Sequence, residues 1–217
     1  MPSVTRGRRQ ADGPSAAETQ ILDATERLLK RGERYTEISV QRILAEAHVS
    51  RATFYAHFRD KTALIIRLSG ALRERLLELA RAWDPSAGED GAERYARFFV
   101  DVITIHRQNG PVLAALREVA TYDSTVRGFH TADLEEFDDA VLRTLIAQQQ
   151  SGATPADLDA VAASRVIVWG GGQAIARHIE VDDGTGDAAF ARELGKIWWY
   201  GAYRRPADDN VSKESRS

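Results

Sequence analysis

Between Ser50 and Lys61 the chain carries Arg51, Thr53, Tyr55 and His57, four side chains that donate hydrogen bonds to phosphate oxygens or base edges. They fall on the face of a short helix left free once Phe54 and Phe58, at helical spacing, turn inward. Arg51 is long, forked and near the helix N-terminus, which makes it the best candidate for a guanine contact. Ala52 is small enough to sit against a thymine methyl, and Thr53 suits a base edge or a phosphate. Tyr55 and His57, further along, suit phosphates. Ser50 is the N-cap of this helix and is grouped with them. Lys61 and the free backbone N–H groups of the helix that follows form a second phosphate site. Ser39 and Gln41, at the start of the preceding helix, are placed to hold the backbone of the other strand.

Two short amphipathic helices joined by a tight turn are needed to present that set. Val40, Ile43, Leu44 and Ala47 recur at helical spacing on the first. Ala47-His48-Val49-Ser50 supplies the turn, a buried anchor at Val49 and the cap of the second helix. This is a helix-turn-helix layout, in which the second helix enters the DNA major groove. An earlier helix starts at Ser15, with Glu18 three residues on as a capping box, and ends at Gly32, its inner stripe being Ile21, Ala24 and Leu28. Three helices in the first sixty residues are the usual size of a small DNA-binding head.

The string Ser50-Arg51-Ala52-Thr53-Phe54-Tyr55-Ala56-His57-Phe58, followed by Asp60-Lys61, closely resembles the recognition helix of the tetracycline-repressor (TetR) family. Ile21-Leu22-Asp23-Ala24 through Leu28-Leu29 to Gly32, and then Ile38-Ser39-Val40, resembles that family's first helix and the entry to its second. The resemblance covers roughly residues 17 to 68; beyond it only the layout of helices is similar. It implies operator DNA as partner, with contacts from the matching positions. It also implies a homodimer in which the last two long helices pair with their copies, and an effector in the body. Two positions depart from the family's pattern. His48 stands where the turn favours Gly, and Ala56 stands where the family often has an aromatic.

Composition agrees with a soluble cytoplasmic regulator. The 217 residues hold no Cys, which excludes disulfides and thiolate metal sites. The first twenty residues contain no apolar run of secretory type, and no stretch has the length of a membrane span. Residues 1 to 61 carry 11 Lys+Arg against 8 Asp+Glu, and the remainder 18 against 24. A basic end on an acidic body suits an N-terminal part that meets phosphate. Residues 1–14, with Arg6, Arg8 and Arg9, read as a flexible basic arm, 15–61 as the DNA-binding head, 62–205 as a ligand-binding and dimerisation body, and 206–217 as a disordered tail.

The body reads as helices throughout, giving an all-α chain of about nine. Asp60 caps a long lever helix to about Trp83, stopped by Asp84-Pro85-Ser86-Ala87-Gly88. Further helices are expected over about Glu89–Gln108, Pro111–Thr121, His130–Gln150, Pro155–Ile179 and Asp187–Tyr203. Segments around Phe98, Phe99 and Ile103, Val112 and Leu116, Phe137 and Val141, and Trp169 are apolar on more faces than a surface helix needs. Bundles place ligand sites between helices, so these residues are the candidate lining of a cavity. Gln173, one turn beyond Trp169, is its candidate polar contact. Gly170-Gly171-Gly172 in mid-helix costs ~1 kcal/mol per residue relative to Ala, which asks for close helix packing or space for a ligand. The five histidines show no paired metal spacing, and there is no Gly-rich phosphate loop or nucleophile elbow. The reading therefore assigns no metal, no cofactor and no enzymatic activity.

The function that follows is a homodimeric regulator, a repressor released from double-stranded operator DNA by a small hydrophobic molecule of unidentified structure. The ligand would shift helices 111–121 and 61–83 and so the spacing of two recognition helices, which must match successive major grooves ~34 Å apart. The alternative is a DNA-binding or architectural protein without an effector, controlled by a protein partner; a helical enzyme ranks third.

Overall fold

In the computed structural model, which describes residues 15–84 and 90–204, nine helices and no strand occur among the described residues. They are α1 (Ala16–Lys30), α2 (Val40–Ala47), α3 (Arg51–His57), α4 (Lys61–Ala82), α5 (Gly91–Gln108), α6 (Gly110–Ala120) and α7 (Ser124–Gln150). Helix α8 spans 160–181 as Ala160–Arg165, a π-helical turn Val166–Gly170, and Gly171–Val181. Helix α9 spans 187–203, as Asp187–Trp198 closed by a second π turn, Trp199–Tyr203. No helix is long and apolar enough to cross a membrane. The expected arm at 1–14, the breaker at 85–88 and the tail at 206–217 lie outside the described residues.

The ends of the head helices are set by their caps. Ser15, Ser39, Ser50 and Asp60 each accept a hydrogen bond from the backbone N–H three residues on, those of Glu18, Arg42, Thr53 and Ala63. His48 closes α2 in the left-handed region at φ 55°, ψ 38°. The turn therefore does require positive φ, and His supplies it with a modest penalty.

Two boundaries differ from the periodicity. Helix α7 starts six residues earlier than His130, because Asp123 accepts from both Thr125 and Val126 backbone N–H groups and nucleates it there. Thr125, Val126 and Gly128 are weak helix formers, which hid that start. Helix α8 begins not at Pro155 but after Asp159, whose carboxylate caps Ala162. Residues before it form a turn in which the Gln149 side-chain amide donates to the carbonyls of Pro155 and Leu158.

The apolar residues form two cores. The first joins Ile21, Leu28, Ile43, Phe54, Phe58, Leu64 and Ile65 to Val112, Leu116 and Val119 of α6 and Val126 of α7. The second gathers Tyr95, Phe99, Ile103, Leu145, Ile167, Ile175, Trp198, Trp199 and Tyr203. Helix α9 lies tightly along α5, and Gly195 makes this possible: a Cβ there would stand 2.7 Å from the Ala96 backbone nitrogen. Gly91 serves the other end, beneath the Trp199 indole. Replacing Gly195 by Ala must push two helix backbones apart. It should destabilise the fold by roughly 1–3 kcal/mol, read as a lowered urea midpoint at unchanged slope.

Candidate DNA interface and body cavity

Helix α3 is seven residues long and is held from one side only. Phe54 is fully buried and Phe58 nearly so, their rings 5.7 Å apart. That anchoring leaves Arg51, Ala52, Tyr55, Ala56 and His57 exposed, with Thr53 half-buried. The Arg51 guanidinium carbon sits 5.6 Å from the centre of the Tyr55 ring, so the two side chains share one face. The Ser50 hydroxyl accepts from Thr53 N–H at 3.0 Å and lies 2.8 Å from the Thr53 hydroxyl. His57 is 3.3 Å from the Ser15 hydroxyl, at the start of α1. Ser39 and Gln41 are exposed at the start of α2. The candidate reading set is thus brought together on one surface.

Lys61 is placed differently from the rest. Its ammonium donates to the carbonyls of Tyr35 and Ile38 and lies 4.7 Å from the centre of the Tyr35 ring, while the Tyr35 hydroxyl donates back to the Lys61 carbonyl. Partial burial lowers its pKa. In this state Lys61 ties α4 to the segment before α2, and two of its three N–H bonds are directed into the protein rather than outward.

The orientation of α2 against α1 rests on Glu46. Its carboxylate, 13% exposed, takes Arg31 at 2.8 Å and Arg27 at 3.1 Å, with Arg42 3.6 Å away. Hydrogen bonds from Arg31 and Arg27 hold its pKa down to about 2, against an ordinary 4.5. A depressed carboxylate stabilises the fold above its ordinary pKa, and that contribution is lost as pH falls through the folded value. Glu46→Gln should therefore lower the melting temperature at pH 6, and the difference from the parent should shrink as pH falls from 4.5 towards 2.

The body contains a cavity of about 170 Å³. Four of the expected lining residues, Phe98, Phe99, Phe137 and Val141, are on its wall. Five are not. Ile103 is buried in the second core, and Val112 and Leu116 belong to the first core with the head. Trp169 is 49% exposed, and Gln173 beside it is exposed as well. The stripe of α8 that faces the cavity is Ile167, Val168, Gly171, Gly172 and Ile175, so Trp169 and Gln173 point the other way. The sequence reading missed Leu76, Ala80 and Trp83 from the lever, Tyr95 and His106 from α5, and Tyr203 from α9. Leu64, Leu68, Leu72 and Leu76, four residues apart along one face, already implied that α4 continues from the head into the body. His106 stands at helical spacing from Phe98, Phe99 and Val102, a signal that was present.

Residues 21–68 match the model of the bacterial regulatory proteins, tetR family. The head belongs to the tetR family. Over those residues it is similar to the DNA-binding part of these transcriptional regulators. No curated protein matches the chain by sequence. Among solved structures, GusR of Salmonella enterica is 18% identical, with a TM-score of 0.72, covering 90% of this chain and 99% of its own. The regulatory protein TetR of Rhodobacter sphaeroides is 21% identical, with a TM-score of 0.64 and coverage of 84% and 98%. The fatty acid degradation regulator FadR of Bacillus halodurans is 17% identical, with a TM-score of 0.72 and coverage of 89% and 100%. At these identities the likeness is one of fold, and it spans the head and the body alike.

Within the tetR-family head, Arg51 is the exposed, forked donor at the N-terminal end of α3, and base reading is expected of it. Arg51→Ala should cost ~1–3 kcal/mol of operator affinity and relax preference at one base pair. Selection from random duplex pools with both proteins checks this; an unchanged consensus would assign the reader elsewhere.

Proposed function

We propose that this protein is a homodimeric repressor that a small apolar molecule releases from its operator. The observation that carries the reading is the double membership of α4. Leu64 and Ile65 near its start are completely buried in the head core, while Leu76, Ala80 and Trp83 near its end line the body cavity. At 1.5 Å per residue those sites are about 28 Å apart along one rod. A molecule that repacks Leu76 and Trp83 acts on the helix that carries the head.

Two further links bear on the same junction. The Thr62 hydroxyl donates to Asp123, the residue that caps α7, at 2.8 Å. The Thr36 hydroxyl donates to Glu118 of α6, also at 2.8 Å. Helices α6 and α7 therefore follow the head when α4 tilts. Release then requires only that the ligand bind the DNA-incompetent arrangement more tightly, operator affinity falling by that ratio.

The dimer is proposed on the outward side of α8 and α9. Val166, Trp169, Ile197 and Tyr200 there are 66%, 49%, 65% and 59% exposed. Large apolar side chains gathered at this exposure mark an association surface, and the family's dimers use the same two helices. Sedimentation at micromolar concentration should give twice the 24.0 kDa chain mass. Ile197→Asp should yield a monomer that binds a two-half-site operator at least about a hundredfold more weakly, having lost the second head. A parent protein that sediments as a monomer would defeat the two-head mechanism. So would a cavity-filling Gly172→Trp that left both operator affinity and ligand response unchanged.

A further inference from the structure

The chemical class of the effector can be read from the polar atoms of the cavity wall; the inference rests on the proposal that this cavity is the effector site. Its lining contains no Asp, Glu, Lys or Arg. The wall is aromatic and aliphatic, with five groups able to hydrogen-bond through a ring or hydroxyl: Trp83, Tyr95, His106, Tyr203, and Thr144, whose hydroxyl donates to the Ala140 carbonyl. Two of these are unsatisfied. The Trp83 Nε1–H and the Tyr203 hydroxyl lie beside each other, with the Tyr95 hydroxyl close by, yet both are buried and neither makes a hydrogen bond of ordinary geometry among the described residues. A buried polar atom without a partner is uncommon, and in a cavity wall it points to an absent ligand or water.

The protonation states fix what each group can do. Tyr203 is completely buried, and burial pushes its phenol up to about 12, so it stays protonated. Burial likewise raises Tyr95. An indole N–H can only donate. Tyr203 and Trp83 therefore offer two donors to one acceptor. His106 is kept neutral by burial, and its Nδ1 lies 2.9 Å from the Val102 carbonyl, which places the proton there. No formal charge in the wall is available to neutralise a charged ligand. The nearby Arg94 guanidinium packs against the Trp83 ring, 5.4 Å from its centre, donates to the Asp84 carbonyl through Nη2, keeps Nη1 buried without a partner among the described residues, and is not part of the wall. Nor do the rings form an open cage for a cation: Trp83 and Tyr95 are stacked on each other, 4.5 Å apart and 17° from parallel.

We infer that the body cavity takes an uncharged, mainly apolar molecule whose one essential polar feature is a hydrogen-bond acceptor, received by Trp83 Nε1–H and Tyr203 O–H. At about 170 Å³ the site suits a molecule on the scale of one substituted aromatic ring, since a 150 Å³ apolar cavity holds benzene.

Three probes of nearly one shape test this. Acetophenone carries a carbonyl acceptor, α-methylstyrene replaces it with a methylene, and benzoate replaces it with a charge. Affinities for the full chain, without DNA, are measured by titration calorimetry. Acetophenone is expected to bind and benzoate to bind at least tenfold more weakly. In Trp83→Phe and in Tyr203→Phe the ratio of acetophenone to α-methylstyrene affinity should fall about tenfold, the size of one lost hydrogen bond. Working with a ratio cancels general damage to the cavity. In ¹⁵N-indole spectra the Trp83 N–H, assigned from Trp83→Phe, should shift downfield with acetophenone and not with α-methylstyrene. An unchanged ratio in both variants, benzoate as the tighter ligand, or no binding of acetophenone would each overturn the inference. Operator release is measured separately with the same probe. Selective binding without release would defeat the repressor reading and leave the ligand class standing.

Discussion

The structure depends on α4 being one unbroken rod that belongs to two cores. Leu64 and Ile65 near its start are as buried as any residue in the head, and Leu76, Ala80 and Trp83 at its end wall the body cavity. A helix of 22 residues is about 33 Å long and bends little without a proline, a Gly/Ser pair or a π bulge. Ser69-Gly70 near its middle is such a pair, with the Ser69 hydroxyl donating to the Ile65 carbonyl and open space beside Gly70. Repacking at Trp83 is carried along the rod to Leu64 as a tilt or a shift, and Ser69-Gly70 is the place between them where the helix can bend. Arg73 and Arg81 of α4 both reach Glu136 of α7, so the rod is guided by a neighbour along its exposed flank.

At the head end, the same economy of attachment governs α3. A seven-residue helix has almost no stability of its own. It persists because Phe54 and Phe58 are buried in the head core, against α1 and α2, and because Ser50 caps it. The reading face is then free to be polar, since none of its side chains is needed for folding. Lys61 illustrates the opposite compromise. A lysine that ties Tyr35 and Ile38 to the start of α4 stiffens the head, and it has one N–H left for a phosphate.

Much of this was legible in the sequence, and the reason is local chemistry. The caps Ser15, Ser39, Ser50 and Asp60, the positive-φ turn at His48 and the inward pair Phe54 and Phe58 are each decided within four residues. Helix existence in the body was legible too, from periodicity. What was not legible was which face of each body helix meets which neighbour. Trp169 and Gln173 belong to one stripe of α8 and Ile167, Gly171 and Ile175 to another, and both stripes are apolar enough to be core. Val112 and Leu116 raised the same ambiguity. Helix α6 is apolar along its length, and only the tertiary fold assigns its buried side to the head rather than the cavity. The close approach at Gly195 was masked because Gly170-Gly171-Gly172 is the louder glycine signal, yet a Cβ at Gly172 would meet nothing.

The π turns explain why the last two helices confuse a periodic reading and what that costs. Each inserts one residue into the helical register, over Val166–Gly170 and Trp199–Tyr203. The phase of every residue after the insertion rotates by about 100° relative to an ideal helix. In α9 this lets Trp198, Trp199 and Tyr203 all be buried while Ile197 and Tyr200 remain exposed. In α8 it brings Gly171 within 3.5 Å of the Trp198 indole if a Cβ were present, and leaves Gly172 on the cavity wall. One pair of helices thereby serves two apolar surfaces, an inner one around the cavity and an outer one for a second copy. A regular helix offers one apolar stripe backed by a polar face; the shifted register is what allows aromatic residues so close in sequence to be divided between the two.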